Sequence, residues 1–311
     1  MTINTYPLVS ILIPTYNRPH YFQLALDSAL AQTYPNIEII IGDDSTDNKT
    51  QELIKQSYLP IYKNIVYIQN SVSLGQFQNG LLLFEKASGN YINYLMDDDL
   101  LHPDKIQKMM NLFLTDNSLS LVTSYRKLID EKGEHIPDGP INIKLCEITT
   151  KLSGMDVGNQ MLMNCCNYIG EPTTPLFKKE HLIEAFGTLN GREYNCCVDM
   201  ASWIHLLSKR NLTYISEPLS YFRIHSGQQL QSNMKLVEGI EDLTHLITVS
   251  KNYGFLQNKT EYQKALQEVL QRILYAFQHY NKDMTDMIYQ RLTQCVETVK
   301  IELQLLQNQL L

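Results

Sequence analysis

Residues 91–104 read YINYLMDDDLLHPD, an apolar run that ends in three adjacent carboxylates, Asp97, Asp98 and Asp99. A strand interior cannot hold adjacent charges, because desolvating even one is costly unless it is compensated. The triplet therefore marks a strand end that opens onto positive charge. Oxygen donors of this kind suit Mn²⁺ or Mg²⁺, ions that keep substrate phosphates as co-ligands; a solvated acidic loop is the bland alternative. Three further features carry candidate chemistry. Asp43 and Asp44 follow a buried strand, where a carboxylate can accept from a base N–H or ribose hydroxyls, or cap the next helix. Asp199 in CVDMASW precedes a helix and is a first-turn acid or a general base, which needs ~2.6–3.2 Å reach to an acceptor hydroxyl. Arg223 and His225 alternate onto one side of a strand end, as a diphosphate- and metal-facing pair or a polar rim.

These residues need a frame. Branched apolar runs predict strands at 7–14, 37–41, 65–69, 91–96, 119–123 and 214–222. Helical spacing is expected over 21–32, 50–57, 79–87, 103–114, 154–164, 181–185 and 200–209, with Pro103 opening its helix. Residues 128–146 form a turn-rich hairpin or flap, and 169–179 combine turns with a short strand. Alternating strands and helices predict an α/β fold with a mostly parallel sheet covered on both faces. Ligands bind beyond the C-terminal strand ends of such sheets. The loops at 14–17, 42–47 and 97–99 all leave ends of that kind and should converge on one crevice.

From about residue 232 the strands stop, and 236–251, 260–279 and 284–310 are helical. Ile288, Leu292, Cys295, Val299, Leu303, Leu306 and Leu310 make a stripe that needs a partner: the body, a neighbouring helix or a second subunit in a homodimer. The expected domains are 1–232 and a helical region at 233–311.

A formal charge of −7 offers no basic face for nucleic acid. The six cysteines include the adjacent pairs Cys165–Cys166 and Cys196–Cys197, which lack zinc-site spacing and read as thiols of a reducing compartment. No apolar run is long enough to span a bilayer. A cytoplasmic location is expected, with peripheral contact at the inner membrane face left open. Neither a dinucleotide-binding G-x-G-x-x-G nor a P-loop is present.

The opening VSILIPTYNRPHYFQLALDSALAQTYPNIEIIIGDDSTD, followed in order by YINYLMDDDLLHPDKI, VDMASWIHLL and YFRIHSG, resembles inverting family 2 glycosyltransferases of the GT-A fold over about residues 8–230. The resemblance implies a nucleotide-sugar donor, a UDP-sugar, and a divalent metal, Mn²⁺ or Mg²⁺. It places Pro14 and Tyr16 in the nucleotide pocket, with Tyr16 stacking on the base, and Asp44 at uracil N3–H. The family's DxD element falls on the triplet, with Asp98 as principal metal ligand, Asp97 and Asp99 flanking it, and His225 near the metal and diphosphate. Asp199 matches the catalytic base, and residues 169–174 the acceptor side. Where the family often has Arg-Asn, this chain has Gln78–Asn79, so Arg18 or Arg223 would supply the missing cationic contact. The residue before the base is Val198 rather than Glu.

The implied reaction is single displacement with inversion onto a hydroxyl of a carbohydrate, lipid-linked or protein-linked acceptor, in surface glycan, polysaccharide or glycoconjugate synthesis. The rivals are a sugar-phosphate nucleotidyltransferase, disfavoured by PTYNRP in place of a Gly-rich loop, and a silent nucleotide- or sugar-binding assembly protein.

Overall fold

The computed structural model describes residues 6–227, 233–279 and 286–308. The expected boundary at residue 232 and the two ends of the last helix, 284 and 310, lie outside them. Contacts group the chain into two compact units of three segments each. The first comprises Met1–Leu152, Ile169–Phe186 and Asn211–His225; the second comprises Ser153–Tyr168, Gly187–Arg210 and Ser226–Leu311.

The first unit is built on a sheet whose parallel half follows the expected rhythm. Strands β1 (Val9–Thr15), β2 (Ile37–Asp43), β3 (Ile65–Gln69) and β4 (Tyr91–Tyr94) lie in the order β3-β2-β1-β4. All of their pairings are parallel. The sheet then mixes. Strand β9 (Leu176–Lys178) is antiparallel to β4 and to β6 (Leu119–Ile129), and β6 pairs in parallel with β12 (Asn211–Arg223). A two-residue strand, β5 (Leu100–Leu101), runs antiparallel along β12. The long β6 outruns its expected span because it continues to pair past a bulge near Pro218, and β12 starts earlier than expected because residues 211–213 already pair with β6.

Helices α1 (Pro19–Leu30), α2 (Lys49–Leu53), α3 (Gln76–Lys86) and α4 (Lys105–Thr115) connect the strands. Pro at the start of α1 costs no hydrogen bond, since the first N–H groups of a helix lack intrahelical partners. Phe22, Ala25, Leu26 and Ala29 of α1 pack with Ile11, Ile39, Ile41 and Met109 in the main core. The 128–146 excursion begins as a hairpin in which β7 (His135–Ile136) pairs with β6. Its turn is closed by Asp130 Oδ1, which accepts from the N–H groups of Lys132 and Glu134 at 2.9 Å each. Strand β8 (Thr150–Leu152) pairs with β12.

The expected helix at 181–185 does not form. A 3₁₀ turn covers Lys179–His181, and the chain then runs irregularly to Gly187, whose φ of +81° suits glycine. Five residues are too few to nucleate a helix alone. Packing decides instead: Phe186 is anchored against Tyr94, ring centroids 4.6 Å apart.

The second unit is helical, with α5 (Gly154–Asn164), a small hairpin of β10 (Thr188–Leu189) and β11 (Arg192–Glu193), α6 (Val198–Leu207), α7 (Asn233–Val249), α8 (Lys259–His279) and α9 (Asp286–Asn308). Residues 153–168 and 187–210 group with the C-terminal helices because α5 packs on both α6 and α8. The stripe on α9 finds its partners within this unit: Ile288, Leu292, Cys295, Val299 and Leu306 are buried where α9 meets α7 and α8. Among the described residues, no helix is long and apolar enough to cross a membrane.

Candidate active site

The acidic triplet is the turn that follows β4, closed by the Asp99 N–H donating to the Met96 carbonyl at 3.1 Å. Its three carboxylates face three ways. Asp97 is buried and held by the end of β1: it accepts from Thr15 Oγ1 at 2.9 Å and the Tyr16 N–H at 3.2 Å. Burial and the neighbouring Asp98 charge push its carboxyl up to about 6, against the pull of Arg18, Thr15 and Tyr16. Asp98 meets Arg18 and His225. Its Oδ2 accepts from Arg18 Nη1 at 2.9 Å and lies 3.0 Å from His225 Nε2. Arg18 Nη1 also reaches Asp97 Oδ1 at 3.3 Å, so one guanidinium spans both acids.

Asp99 turns inward and is 1% exposed. Its Oδ2 accepts from Thr173 Oγ1 at 2.6 Å and its Oδ1 from the Arg223 N–H at 3.0 Å. Burial, then the Asp98 charge, holds this carboxyl well above the usual carboxylate range. The residue ties three segments together: the turn, the 169–174 loop and the end of β12.

Arg223 is also committed to the scaffold. Its Nε donates to the Asp98 carbonyl at 2.7 Å and its Nη1 to the Asp130 carbonyl at 2.9 Å, with the guanidinium 4.9 Å from the Tyr21 ring centre. Tyr21 in turn lies 5.0 Å from the His225 ring, so α1 backs both β12 residues. Arg223 and His225 do not share one role: the first braces the acidic turn from beneath, and the second meets Asp98.

The nucleotide-side residues lie at the ends of β1 and β2. Pro14 is buried in register with Gly42, and Tyr16 is 47% exposed beyond it. Asn17, with φ +54°, locks the two loops by accepting from the Thr46 N–H at 2.9 Å. Asp43 is buried, bonded to the Ser45 N–H and to the Tyr67 hydroxyl. Asp44 accepts four hydrogen bonds from residues 70–75: Leu74 N–H at 2.8 Å, Gly75 N–H at 2.7 Å, and Asn70 Nδ2 and Ser73 Oγ at 2.9 Å each. Burial alone would raise its carboxyl, but these donors outweigh burial and hold it below the ordinary value. Asn79 is buried and donates to the Gly42 carbonyl at 2.8 Å; a Cβ on Gly42 would strike its Oδ1. Asn79 is thus a strut between α3 and β2.

Asp199 belongs to the second unit, in the first turn of α6. It is half-buried, and its Oδ2 accepts from Asn167 Nδ2 at 2.7 Å. Thr15 and Thr173 lie in the 14–17 and 169–174 segments expected at the site, where they hold Asp97 and Asp99, whereas Lys105 was not among the expected residues. Lys105 is fully buried, donates to the Thr174 carbonyl at 2.6 Å, and burial lowers its amino group to about 7. Only its place at the start of an amphipathic helix, where a lysine should be exposed, could have flagged it. Among the described residues, no group of three or more His, Cys, Asp or Glu side chains converges as a metal site.

Residues 10–166 match the sequence model described as Glycosyl transferase family 2. An uncharacterized glycosyltransferase of Rickettsia typhi is 31% identical over 245 residues, covering 78% of this chain and 72% of that protein. The chain belongs to glycosyl transferase family 2. This family 2 glycosyltransferase is also 34% identical over 137 residues to the hyaluronan synthase of Pasteurella multocida, covering 44% of the chain and 14% of the synthase. Among solved structures, residues 1–349 of S. aureus TarS in complex with UDP-GlcNAc align with a TM-score of 0.67 at 15% identity, covering 94% of this chain and 80% of that one. The mannosyltransferase PcManGT from Pyrobaculum calidifontis, in complex with GDP-Man and Mn²⁺, aligns at 0.53 and 13% identity over 94% and 81%. At such identities the likeness establishes the fold, which is GT-A-like.

Proposed function

We propose that this glycosyltransferase is metal-dependent and inverting, and that it moves a sugar from a UDP-sugar to an acceptor hydroxyl in the synthesis of a surface glycan, polysaccharide or glycoconjugate. The observation that carries the reading is the pairing of Asp98 with His225, joined through Asp98 to Arg18. Asp98 Oδ2 and His225 Nε2 lie 3.0 Å apart, and a carboxylate there is a donor of the kind that suits Mn²⁺ or Mg²⁺, so the chemistry of the donor set fits such an ion. Asp98 and His225 would hold the ion. When bound, it supplies charge stabilisation to the leaving diphosphate.

The chain's own residues do the rest. Arg18, half-exposed beside Asp97 and Asp98, turns its guanidinium to the diphosphate, where negative charge grows as the anomeric bond breaks. Tyr16, exposed beyond β1, offers its ring to the base. Asp199, oriented by Asn167, takes the proton of the attacking acceptor hydroxyl. Attack from the face opposite the diphosphate inverts the anomeric centre without a covalent intermediate. The likeness to TarS bound to UDP-GlcNAc and to Pasteurella polysaccharide synthases supports the uridine donor and the glycan acceptor.

The test is ligand-induced thermal stabilisation of the full chain. UDP with Mn²⁺ at about 100 times its Kd should add ~2.7 kcal/mol, a rise of roughly 4 °C in Tm. UDP without the metal should shift Tm far less. Stronger stabilisation by GDP under the same conditions overturns the uridine reading. In the Asp199→Asn variant, UDP release from a UDP-sugar should fall by at least ~10²-fold with the UDP-dependent shift retained; near-normal turnover removes Asp199 as the base.

A further inference from the structure

Helix α6 begins without a side-chain cap, because its N-cap residue is Cys197. The N–H groups that approach this helix start are instead gathered by a carboxylate from α7. Asp242 is fully buried, and its Oδ2 accepts from three consecutive backbone N–H groups: Asn195 at 3.0 Å, Cys196 at 2.7 Å and Cys197 at 3.0 Å. Its Oδ1 accepts from Arg192 Nη2 at 2.9 Å, which supplies the countercharge. Successive N–H groups pointing at one centre form an anion-binding nest, and here the anion is a side chain more than forty residues further along the chain. Gly239, one turn before Asp242, lets α7 come close: a Cβ there would meet Cys196 Sγ at 3.3 Å.

Two residues beyond this nest stands Asp199. We propose that Asp242 is a positioning residue for the base: the C-terminal helices fix the 195–197 backbone, and through it the first turn of α6, so that Asp199 is held ready rather than sampled. The inference rests on the reading of Asp199 as the base. It assigns the helical region a part in the reaction, although residues 226–311 lie beyond the 10–166 segment that matches the family model. The physical reason is charge-assisted hydrogen bonding to a fully buried carboxylate, where three N–H groups aimed at one oxygen restrict the loop. A general base displaced by about an ångström loses much of its effect, since proton transfer needs hydrogen-bond reach.

The experiment uses the full chain with the Asp242→Asn variant, which keeps size but removes the charge and presents an amide N–H₂ group to the nest. Hydrogen exchange read by mass spectrometry should show the amides of 195–199 exchanging at least ~10-fold faster than in the unsubstituted protein, with 97–99 unchanged. UDP release from the best-used member of a UDP-sugar panel with Mn²⁺ should fall ~10–100-fold in kcat, with the donor KM and the UDP-dependent Tm shift unchanged. In an Asp199→Asn background the same substitution should lower kcat less than 2-fold, because nothing is left to position. Unchanged exchange at 195–199, or an equal fold-loss in both backgrounds, overturns the proposal. If Asp199→Asn alone retains turnover while Asp242→Asn speeds exchange, the reading of the base has failed and the clamp has not. If Asp242→Asn does not accumulate as folded protein, Arg192→Met removes the countercharge, together with a hydrogen bond to the Glu241 carbonyl and a contact with the Tyr194 ring, and leaves the carboxylate in place; it should lower kcat ~3–10-fold at constant KM, and an unaltered kcat refutes the role.

Discussion

Replacing Asp44 with Ala separates two roles that one carboxylate could play. The side chain is 4% exposed and accepts four hydrogen bonds from the 70–75 segment, two of them from the backbone N–H groups that lead into α3. Hydrogen bonds to a charged acceptor contribute ~1.5–3 kcal/mol each when the donor would otherwise stay buried and unpaired. The donors here sit on exposed residues, Ser73 to Gly75, so water can re-solvate them once the carboxylate is gone. That places each contact nearer ~1 kcal/mol and the whole substitution at about 3–4 kcal/mol. Asp44→Asn should cost about half as much, because its amide oxygen still accepts while its N–H₂ group opposes the remaining donors.

The assay is denaturant unfolding at pH 7, read as a shift in midpoint at constant slope. The pH dependence supplies an internal check. Asp44 has a folded pKa below its unfolded value, so its stabilisation is fully present above the unfolded pKa of ~3.9 and disappears as pH falls through the folded value. The gap between the unsubstituted protein and Asp44→Ala should therefore be full at pH 7 and close in acid. A loss below ~1 kcal/mol at pH 7, accompanied by collapse of UDP binding, would refute the loop-clamp reasoning and return Asp44 to base recognition alone.

Asp98→Ala should lower UDP release from a UDP-sugar by at least ~10²-fold. The same change relieves Asp97 and Asp99 of a neighbouring negative charge, so the ligand-free protein should be no less stable; a fall in its Tm of more than ~5 °C would mark Asp98 as structural. Lys105→Met tests the buried amine: burial lowers its pKa to about 7, below the ordinary lysine value of about 10.4, so the protein's stability should rise between those pH values. The variant should lack this rise, so its stability relative to the unsubstituted protein should decline from pH 7 to pH 10; a constant difference across that range contradicts a buried, destabilised ammonium.

The parallel half of the sheet was legible because β1 to β3 are rich in branched residues, and each of β1 to β4 ends in a polar loop. The antiparallel insertion of β9, the two-residue β5 and the reach of β6 and β12 were not, since strands of two or three residues carry no period and pairing past a bulge depends on the neighbouring strand. The grouping of residues 153–168 and 187–210 with the C-terminal helices was equally hidden, because it depends on which apolar faces meet.

At the acidic turn the division is sharpest. The sequence by itself determined that Asp97, Asp98 and Asp99 leave a buried strand together, because a strand interior cannot hold them, and that Asp98 is the central acid. Only the tertiary structure decided which way each faces. Asp99 turns inward because Thr173 and the Arg223 N–H, 74 and 124 residues away in sequence, offer it donors. Asp98 turns to Arg18 and to His225, 80 and 127 residues distant. A buried carboxylate settles where hydrogen bonds offset its desolvation, and those donors come from segments that meet only when the chain has folded.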